Sequence, residues 1–229
     1  MQPLLLLHGA IGSKEQLKDL ANKLSKDYEV YTFNFSGHGG KAFPTEPFSI
    51  SLFAKEVLAF MNQKNLGSVS VFGYSMGGYV AMYLAKYHSE KINKVITLAT
   101  KFYWDDAVAA KEIKMIEPAV LEQKVPAFAK QLQERHAPGD WKELLQLTQE
   151  LLIKLGRNNT LSINDYTTIK NPCLLLLGDK DKMITLEETV AVYKQLPNAQ
   201  FEVLTNTPHP IEQVDVNMLA LNCLKFLLH

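Results

Sequence analysis

The stretch Gly73-Tyr74-Ser75-Met76-Gly77-Gly78 joins an apolar run that ends at Phe72 to a segment rich in alanine, methionine and leucine. This order is typical of a buried strand that turns sharply into a helix, with the serine at the turn. Only small residues fit beside a serine in so tight a turn, which explains the flanking glycines. The turn lifts the Ser75 hydroxyl above the sheet edge at the positive end of a helix, so Ser75 is the candidate nucleophile.

Short apolar runs like the one before Ser75 recur along the chain and alternate with amphipathic segments. None is separated from the next by a tight hairpin turn, so they indicate parallel strands buried on both faces. The predicted strands are Leu4–Leu7, Glu29–Phe33, Val69–Phe72, Val95–Leu98, Cys173–Leu177 and Phe201–Leu204. The predicted helices cover residues 15–26, 50–64, 75–87, 186–195 and 213–228. The sequence therefore predicts an α/β fold with a doubly wound, mostly parallel sheet of about six strands.

Residues 101–163 interrupt this alternation. They contain no convincing strand pattern and read as several short helices separated by prolines such as Pro118 and Pro126. The segment follows the fourth strand, at the sheet edge where folds of this kind bind their ligands, so we expect a small helical lid. The chain is accordingly divided into a core of residues 1–100 and 164–229 and a lid of residues 101–163.

A serine hydroxyl is a weak nucleophile and needs a general base. His209 follows the last predicted strand, between two prolines, and should open at the same sheet edge as Ser75. It is therefore the candidate base. The other histidines receive structural or surface roles: His8 and His38 in the loops after the first two strands, and His88, His136 and His229 exposed at helix ends or at the terminus.

The histidine in turn needs an acid that fixes its tautomer. Gly178-Asp179-Lys180-Asp181 follows the fifth strand, which gives the chain order serine, aspartate, histidine. Asp181 is the preferred acid because the chain has by then turned towards the histidine loop. Asp179, which leaves the strand directly, can instead bond the backbone of the turn.

An acyl transfer reaction also needs backbone N–H donors for the oxyanion. Met76 supplies one donor because it follows the nucleophile. Ala10 follows His8-Gly9 after the first strand and is the candidate for the second donor.

These stretches together resemble the α/β-hydrolase superfamily, in its lidded, esterase-like branch. The resemblance covers the core but not the lid, through Leu7–Ser13, Ser36–Gly39, Gly73–Gly78, Ile169–Asp181 and His209. It implies the family's eight-stranded sheet without its first two strands. It also implies a triad of Ser75, Asp181 and His209, with Ser75 attacking a carbonyl and water hydrolysing the resulting acyl-enzyme.

The function expected from this resemblance is cleavage of a small, mainly apolar ester, or of a related acyl or C–C bond. Non-haem haloperoxidases share the same elbow. One alternative is a menaquinone-pathway-type lyase that uses the same triad, but that family places an arginine where Tyr79 stands. A second alternative is a non-catalytic small-molecule receptor on the hydrolase fold; such receptors usually have degenerate triads, whereas all three members are present here.

The composition of the chain argues against several classes of binding partner. Lys plus Arg and Asp plus Glu are both 24, so no charge excess favours nucleic acid or an anionic membrane. Arg135 and Arg157 are the sole arginines, which disfavours a strongly anionic substrate. Cys173 and Cys223 lie in apolar surroundings and are expected to be free, buried thiols.

The sequence contains no metal-ligand spacing, so no metal or other cofactor is expected. It also contains no signal peptide and no membrane-spanning run. We therefore expect a cytoplasmic protein that acts on a small molecule, with no nucleic-acid or membrane partner. The sequence gives no indication of its oligomeric state.

Overall fold

The computed structural model of the chain describes residues 1–228 and is organised around one six-stranded sheet. The strands are β1 (Pro3–Leu7), β2 (Glu29–Thr32), β3 (Val69–Tyr74), β4 (Ile92–Leu98), β5 (Cys173–Gly178) and β6 (Ala199–Leu204). Their order is β2-β1-β3-β4-β5-β6, and every neighbouring pair is parallel. The predicted doubly wound parallel sheet is thus confirmed.

Helices cover both faces of the sheet and fill the insertion between β4 and β5. In chain order they are α1 (Lys18–Leu24), α2 (Ile50–Gln63), α3 (Met76–Tyr87), α4 (Asp106–Met115), α5 (Pro118–Lys124), α6 (Pro126–His136), α7 (Trp141–Arg157), α8 (Leu186–Tyr193) and α9 (Val216–Leu228). The predicted helix at 15–26 divides into a 3-10 turn, Lys14–Leu17, and α1. The helix predicted at 213–228 begins at Val216, three residues later than expected. Gln213 belongs to a separate 3-10 turn, Ile211–Gln213, that precedes it.

The two layers of the core follow from the alternation of side chains along each strand. In β1, Leu5 and Leu7 face α2 and α3, whereas Leu4 and Leu6 face α1 and α9. All four leucines are fully buried. The central strands are therefore mainly apolar, because both of their faces are covered, and small polar residues such as Ser70 and Thr97 are buried among the apolar ones.

The insertion consists of α4 to α7, and residues 101–163 contain no strand. Asp105 and Asp140 cap two of its helices, since their carboxylates accept hydrogen bonds from Val108 N (2.7 Å) and Lys142 N (2.8 Å). Helix α4 packs against α7. A small apolar cluster that includes Leu132 and Trp141 holds the remaining helices together.

Candidate active site

Ser75 lies at the sharp turn between β3 and α3. Its backbone has φ +51° and ψ −117°, a region that residues with a side chain rarely adopt. The turn is held by Ser75 N, which donates to Leu98 O at 2.8 Å, and by Thr100 Oγ1, which donates to Ser75 O at 3.1 Å. A Cβ on Gly73 would lie 2.4 Å from the backbone of Gly77. The flanking glycines are thus required by close backbone approach, as expected from the sequence.

His209 lies in the loop after β6 and is oriented by Asp181. His209 Nδ1 and Asp181 Oδ2 are 2.8 Å apart, and the carboxylate is almost wholly buried, with 1% of the side chain exposed. The second oxygen of Asp181 accepts hydrogen bonds from Met183 N at 2.8 Å and Ile184 N at 2.9 Å. Burial alone would raise the pKa of Asp181, but His209 and the two backbone donors lower it below its usual value.

Asp179 takes no part in this pair. It is exposed, and its Oδ1 accepts a hydrogen bond from Thr207 N at 3.0 Å, in the loop that leads to His209. This backbone hydrogen bond is the main cause of the lowered pKa of Asp179. Of the two candidate acids, the structure brings Asp181 to His209 and leaves Asp179 to join the two loops.

Tyr74 holds the histidine loop through the backbone of His209, whereas Asp181 holds it through the imidazole ring. Its hydroxyl donates to His209 O at 3.1 Å, and the two rings lie 5.6 Å apart. Burial raises the pKa of Tyr74 far above its usual range, so the hydroxyl stays protonated and can act as a donor. Sequence reasoning missed this contact, because nothing in the elbow motif says that the residue before the serine reaches the histidine loop.

Ala10 and Met76, the expected oxyanion donors, line the same cavity as Ser75. Met76 is the first residue of α3, so its N–H has no partner within the helix. Within residues 1–228, neither the Ala10 N–H nor the Met76 N–H donates a hydrogen bond. Gly9 lets the Ala10 loop approach the nucleophile, since a Cβ on Gly9 would lie 3.2 Å from Ser75 Cβ.

The loop that carries Ala10 is tied to the insertion by two residues of α6. Ile11 O accepts hydrogen bonds from His136 Nε2 at 3.0 Å and from Arg135 Nη1 at 3.3 Å. His136 Nδ1 accepts a third hydrogen bond, from Gly39 N at 3.0 Å. The expectation that His136 is exposed is wrong: its side chain is fully buried, because α6 folds onto the core and both ring nitrogens find backbone partners.

His8, His38 and His136 form a buried row, with ring centroids 5.0 Å and 6.0 Å apart between successive members. Burial lowers the pKa of His8 and of His136 to about 4, and it lowers that of His38 well below its usual value. All three rings are therefore neutral near pH 7. Of the other histidines, His88 is half-buried rather than exposed, and His229 lies outside the described residues.

A cavity of about 300 Å³ opens above Ser75 and His209. Most of its wall is apolar, and the insertion contributes Met115, Ile116, Phe128, Leu151, Leu152 and Leu155 to it. Both core and insertion thus contribute to one site. Within residues 1–228 no cluster of three histidine, cysteine or acidic side chains could hold a metal ion, and no helix is long and apolar enough to cross a membrane.

Comparison with known proteins agrees with this geometry. A family model described as the alpha/beta hydrolase fold matches residues 2–135, more than half of the 229 residues. The chain therefore belongs to the α/β-hydrolase family. A Synechocystis sp. protein with the provisional name non-heme chloroperoxidase is 27% identical over 98% of this chain and 91% of the relative.

Two further comparisons extend over nearly the whole chain. The poly(3-hydroxyalkanoate) depolymerase of Ectopseudomonas oleovorans is 26% identical over 89% of this chain and 77% of the relative. The enol-lactonase structure from Burkholderia xenovorans LB400 superimposes with a TM-score of 0.80 at 19% identity, covering 100% of this chain and 92% of the other. The family and these relatives identify the chain as a hydrolase, and the structural likeness at this identity shows the fold alone.

Proposed function

We propose that the protein is a serine hydrolase that cleaves small, mainly apolar esters through an acyl-enzyme on Ser75. The observation that carries this proposal is one cavity lined by Ser75, by His209 and by Ala10 and Met76 with their two free N–H groups, where His209 is paired at 2.8 Å with the buried Asp181 behind it. A nucleophile, an oriented base and an oxyanion site are the parts that acyl transfer requires.

In the first half-reaction, Ser75 Oγ attacks the ester carbonyl while His209 Nε2 takes the hydroxyl proton. The buried carboxylate of Asp181 stabilises the imidazolium and keeps the other ring proton on Nδ1. The N–H groups of Ala10 and Met76 hold the developing oxyanion. Collapse of the tetrahedral intermediate breaks the ester C–O bond, and His209 gives its proton to the departing alkoxide.

In the second half-reaction, water replaces the alcohol. His209 takes a proton from the water as its oxygen attacks the acyl carbonyl, and the same two N–H groups hold the second oxyanion. Collapse then releases the carboxylic acid, and the proton returns to Ser75 Oγ. The dyad of His209 and Asp181 ends the cycle in the state in which it began.

The cavity supports the choice of substrate. Its volume, about 300 Å³, suits a small acyl or alcohol group, and its wall is mainly apolar. The names of several relatives, which include a lipase and a depolymerase, support an ester as the substrate class. We also propose that helices α4 to α7 act as the lid, because they contribute Met115, Phe128 and three leucines of α7 to the wall of the cavity that contains Ser75.

A lyase reaction and a receptor role are less well supported. Tyr79 stands where the lyase family places an arginine; it is buried, and its hydroxyl accepts a hydrogen bond from Leu161 N at 3.0 Å. A receptor would not need the pairing of His209 with Asp181. The cytoplasmic location and the absence of nucleic-acid or membrane partners stay predictions from the sequence.

The experiment is a panel of p-nitrophenyl esters from acetate to decanoate, measured on the parent, on Ser75→Ala and on Ser70→Ala. Ser70 is a matched control because it is a buried serine of the same strand, β3, outside the cavity. We expect hydrolysis by the parent and a loss on the order of 10⁶ in kcat for Ser75→Ala alone. Hydrolysis that survives in a folded Ser75→Ala protein would exclude the proposed mechanism.

A further inference from the structure

Glu112 is a buried carboxyl in the wall of the active-site cavity. It belongs to α4, its side chain is 7% exposed, and it lines the same space as Ser75 and His209. Its one ion-pair partner among residues 1–228 is Lys101, whose Nζ lies 4.0 Å from Glu112 Oε1, and Lys111 is a second, more weakly acting cation. That distance is too long for a hydrogen bond. In the described part of the chain, no group donates a hydrogen bond to this carboxylate.

The neighbours of Glu112 have their own partners. Lys101 Nζ donates to Met183 O at 2.9 Å and lies 3.6 Å from Glu188 Oε2. The carboxylate of Glu188 accepts hydrogen bonds from the backbone N–H groups of Phe102 at 3.0 Å and Thr185 at 3.2 Å. Lys101 and Glu188 therefore form a satisfied structural pair, and Glu112 is left with unused acceptor capacity.

The insertion also contributes Arg135, Trp104 and Thr148 to the cavity wall. Arg135 bonds Ile11 O and Glu212, whereas Trp104 Nε1 is a buried donor without a partner among residues 1–228. Thr148 Oγ1 donates to Leu144 O at 2.8 Å, the carbonyl one turn earlier in α7.

Burying a carboxylate without hydrogen bonds costs free energy. Burial raises the pKa of Glu112 above its usual value, although the charge of Lys101 opposes the rise. A mainly apolar wall with a few polar groups, among them an acceptor without a donor, is a pattern that fixes the orientation of a bound ligand.

We propose that Glu112 accepts a hydrogen bond from a hydroxyl group of the substrate, so that the preferred esters carry a hydroxyl besides the scissile ester. This inference rests on the proposed esterase function. A neutral donor fits better than a cation, because the ammonium of Lys101 lies 4.0 Å from the same carboxylate and would repel a second positive charge. Glu112 is thus a specificity-determining residue, and the reaction itself stays with Ser75 and His209.

The test compares matched esters that differ by one hydroxyl. Methyl hexanoate is paired with its 3-hydroxy and 6-hydroxy derivatives, and butyl hexanoate with 4-hydroxybutyl hexanoate, so that both sides of the ester bond are sampled. Acid release is followed by titration. We expect the parent to prefer at least one hydroxylated ester over its unsubstituted partner by about 10- to 100-fold in kcat/KM, the scale of one hydrogen bond to a charged group.

Two substitutions of Glu112 and one control separate specificity from folding. Glu112→Met should bring that ratio to about 1, whereas Glu112→Gln, which keeps an acceptor oxygen, should keep part of it. Thr148→Val is the matched control, because it changes a cavity hydroxyl that is already bonded to Leu144 O. It should leave the ratio unchanged. Lys101 retains Met183 O and Glu188 in both Glu112 variants, so both are expected to fold.

Three results would overturn the inference: no preference for any hydroxylated ester in the parent, a preference that survives in Glu112→Met, or a stronger preference for methyl 6-aminohexanoate, which would indicate a cation subsite. Each of these leaves hydrolysis of the unsubstituted esters intact. Failure of the esterase function itself looks different, because the parent would then hydrolyse none of the esters, or Ser75→Ala would hydrolyse them equally well.

Discussion

Replacement of Asp181 by asparagine isolates the role of the buried acid. The asparagine side chain is nearly isosteric and keeps a carbonyl oxygen that can accept from Met183 N and Ile184 N, the two donors that hold the loop at 2.8 Å and 2.9 Å. It presents its NH₂ group to His209 Nδ1 in place of the oxygen at 2.8 Å. Two donors cannot face each other there, so the ring proton moves to Nε2.

The size of the effect follows from that tautomer. With its proton on Nε2, His209 cannot take the proton of Ser75. Turnover is then limited to the small fraction of molecules in which the ring proton is on Nδ1 and Nε2 is free. We expect kcat to fall on the order of 10⁴-fold, which corresponds to about 5 kcal/mol of transition-state stabilisation. A water molecule cannot take over the role of the lost carboxylate oxygen, because only 1% of the Asp181 side chain is exposed to solvent.

The assay is p-nitrophenyl ester hydrolysis at neutral pH, together with thermal unfolding followed by circular dichroism. Asp179→Asn is the matched control, since its oxygen can still accept from Thr207 N and Asp179 forms no hydrogen bond with His209. It should keep kcat within about tenfold of the parent. The melting temperature of Asp181→Asn should stay close to that of the parent.

An exchange of the two phenotypes would refute the reasoning, because Asp179 would then be the acid. A fall in kcat that is matched by a large fall in melting temperature would also count against it. In that case Asp181 would act by holding the loop through Met183 N and Ile184 N, and not by orienting His209.

Three other outcomes follow from buried groups. The pKa of His8 and of His136 is about 4 in the folded protein, against 6.5 for an ordinary histidine. Between these two pH values the unfolded state binds more protons than the folded state. The free energy of unfolding should therefore fall as the pH drops from about 6.5 to about 4. The loss is about 3 kcal/mol for each ring, and urea unfolding should show a shallower pH dependence in His136→Asn. Gly73→Ala places a Cβ 2.4 Å from backbone of α3 and should yield no folded protein by circular dichroism, whereas a well-folded variant would disprove the close packing. Burial raises the pKa of Cys173 to about 12 and that of Cys223 further, so native protein should not react with a thiol reagent at neutral pH until it is unfolded.

The strands and the elbow could be predicted from the sequence because each is a local pattern. Mainly apolar runs such as Leu4–Leu7 are expected wherever a strand is buried on both faces. The carboxyl ends of parallel strands share one sheet edge, so loops far apart in the chain, those of Ser75, Asp181 and His209, could be placed together before any contact was known.

Contacts between the insertion and the core could not be predicted in the same way. His136 ends a helix, which suggests exposure, yet it bonds Ile11 O and Gly39 N across the insertion boundary. Glu112 directly follows Lys111 in α4, as a solvent-exposed charge would, and gives no signal that it faces the cavity. Such placements depend on how α4 to α7 pack on the sheet, and no periodicity or motif records that packing.

The most direct test of the central claim is covalent labelling by a fluorophosphonate, followed by mass spectrometry of the peptide that contains Ser75. Fluorophosphonates react with a serine that is activated by a neighbouring base and an oxyanion site. The account predicts one adduct per chain, located on Ser75, with loss of ester hydrolysis in proportion to labelling. An adduct on another residue, or full hydrolytic activity in protein labelled completely at Ser75, would contradict it.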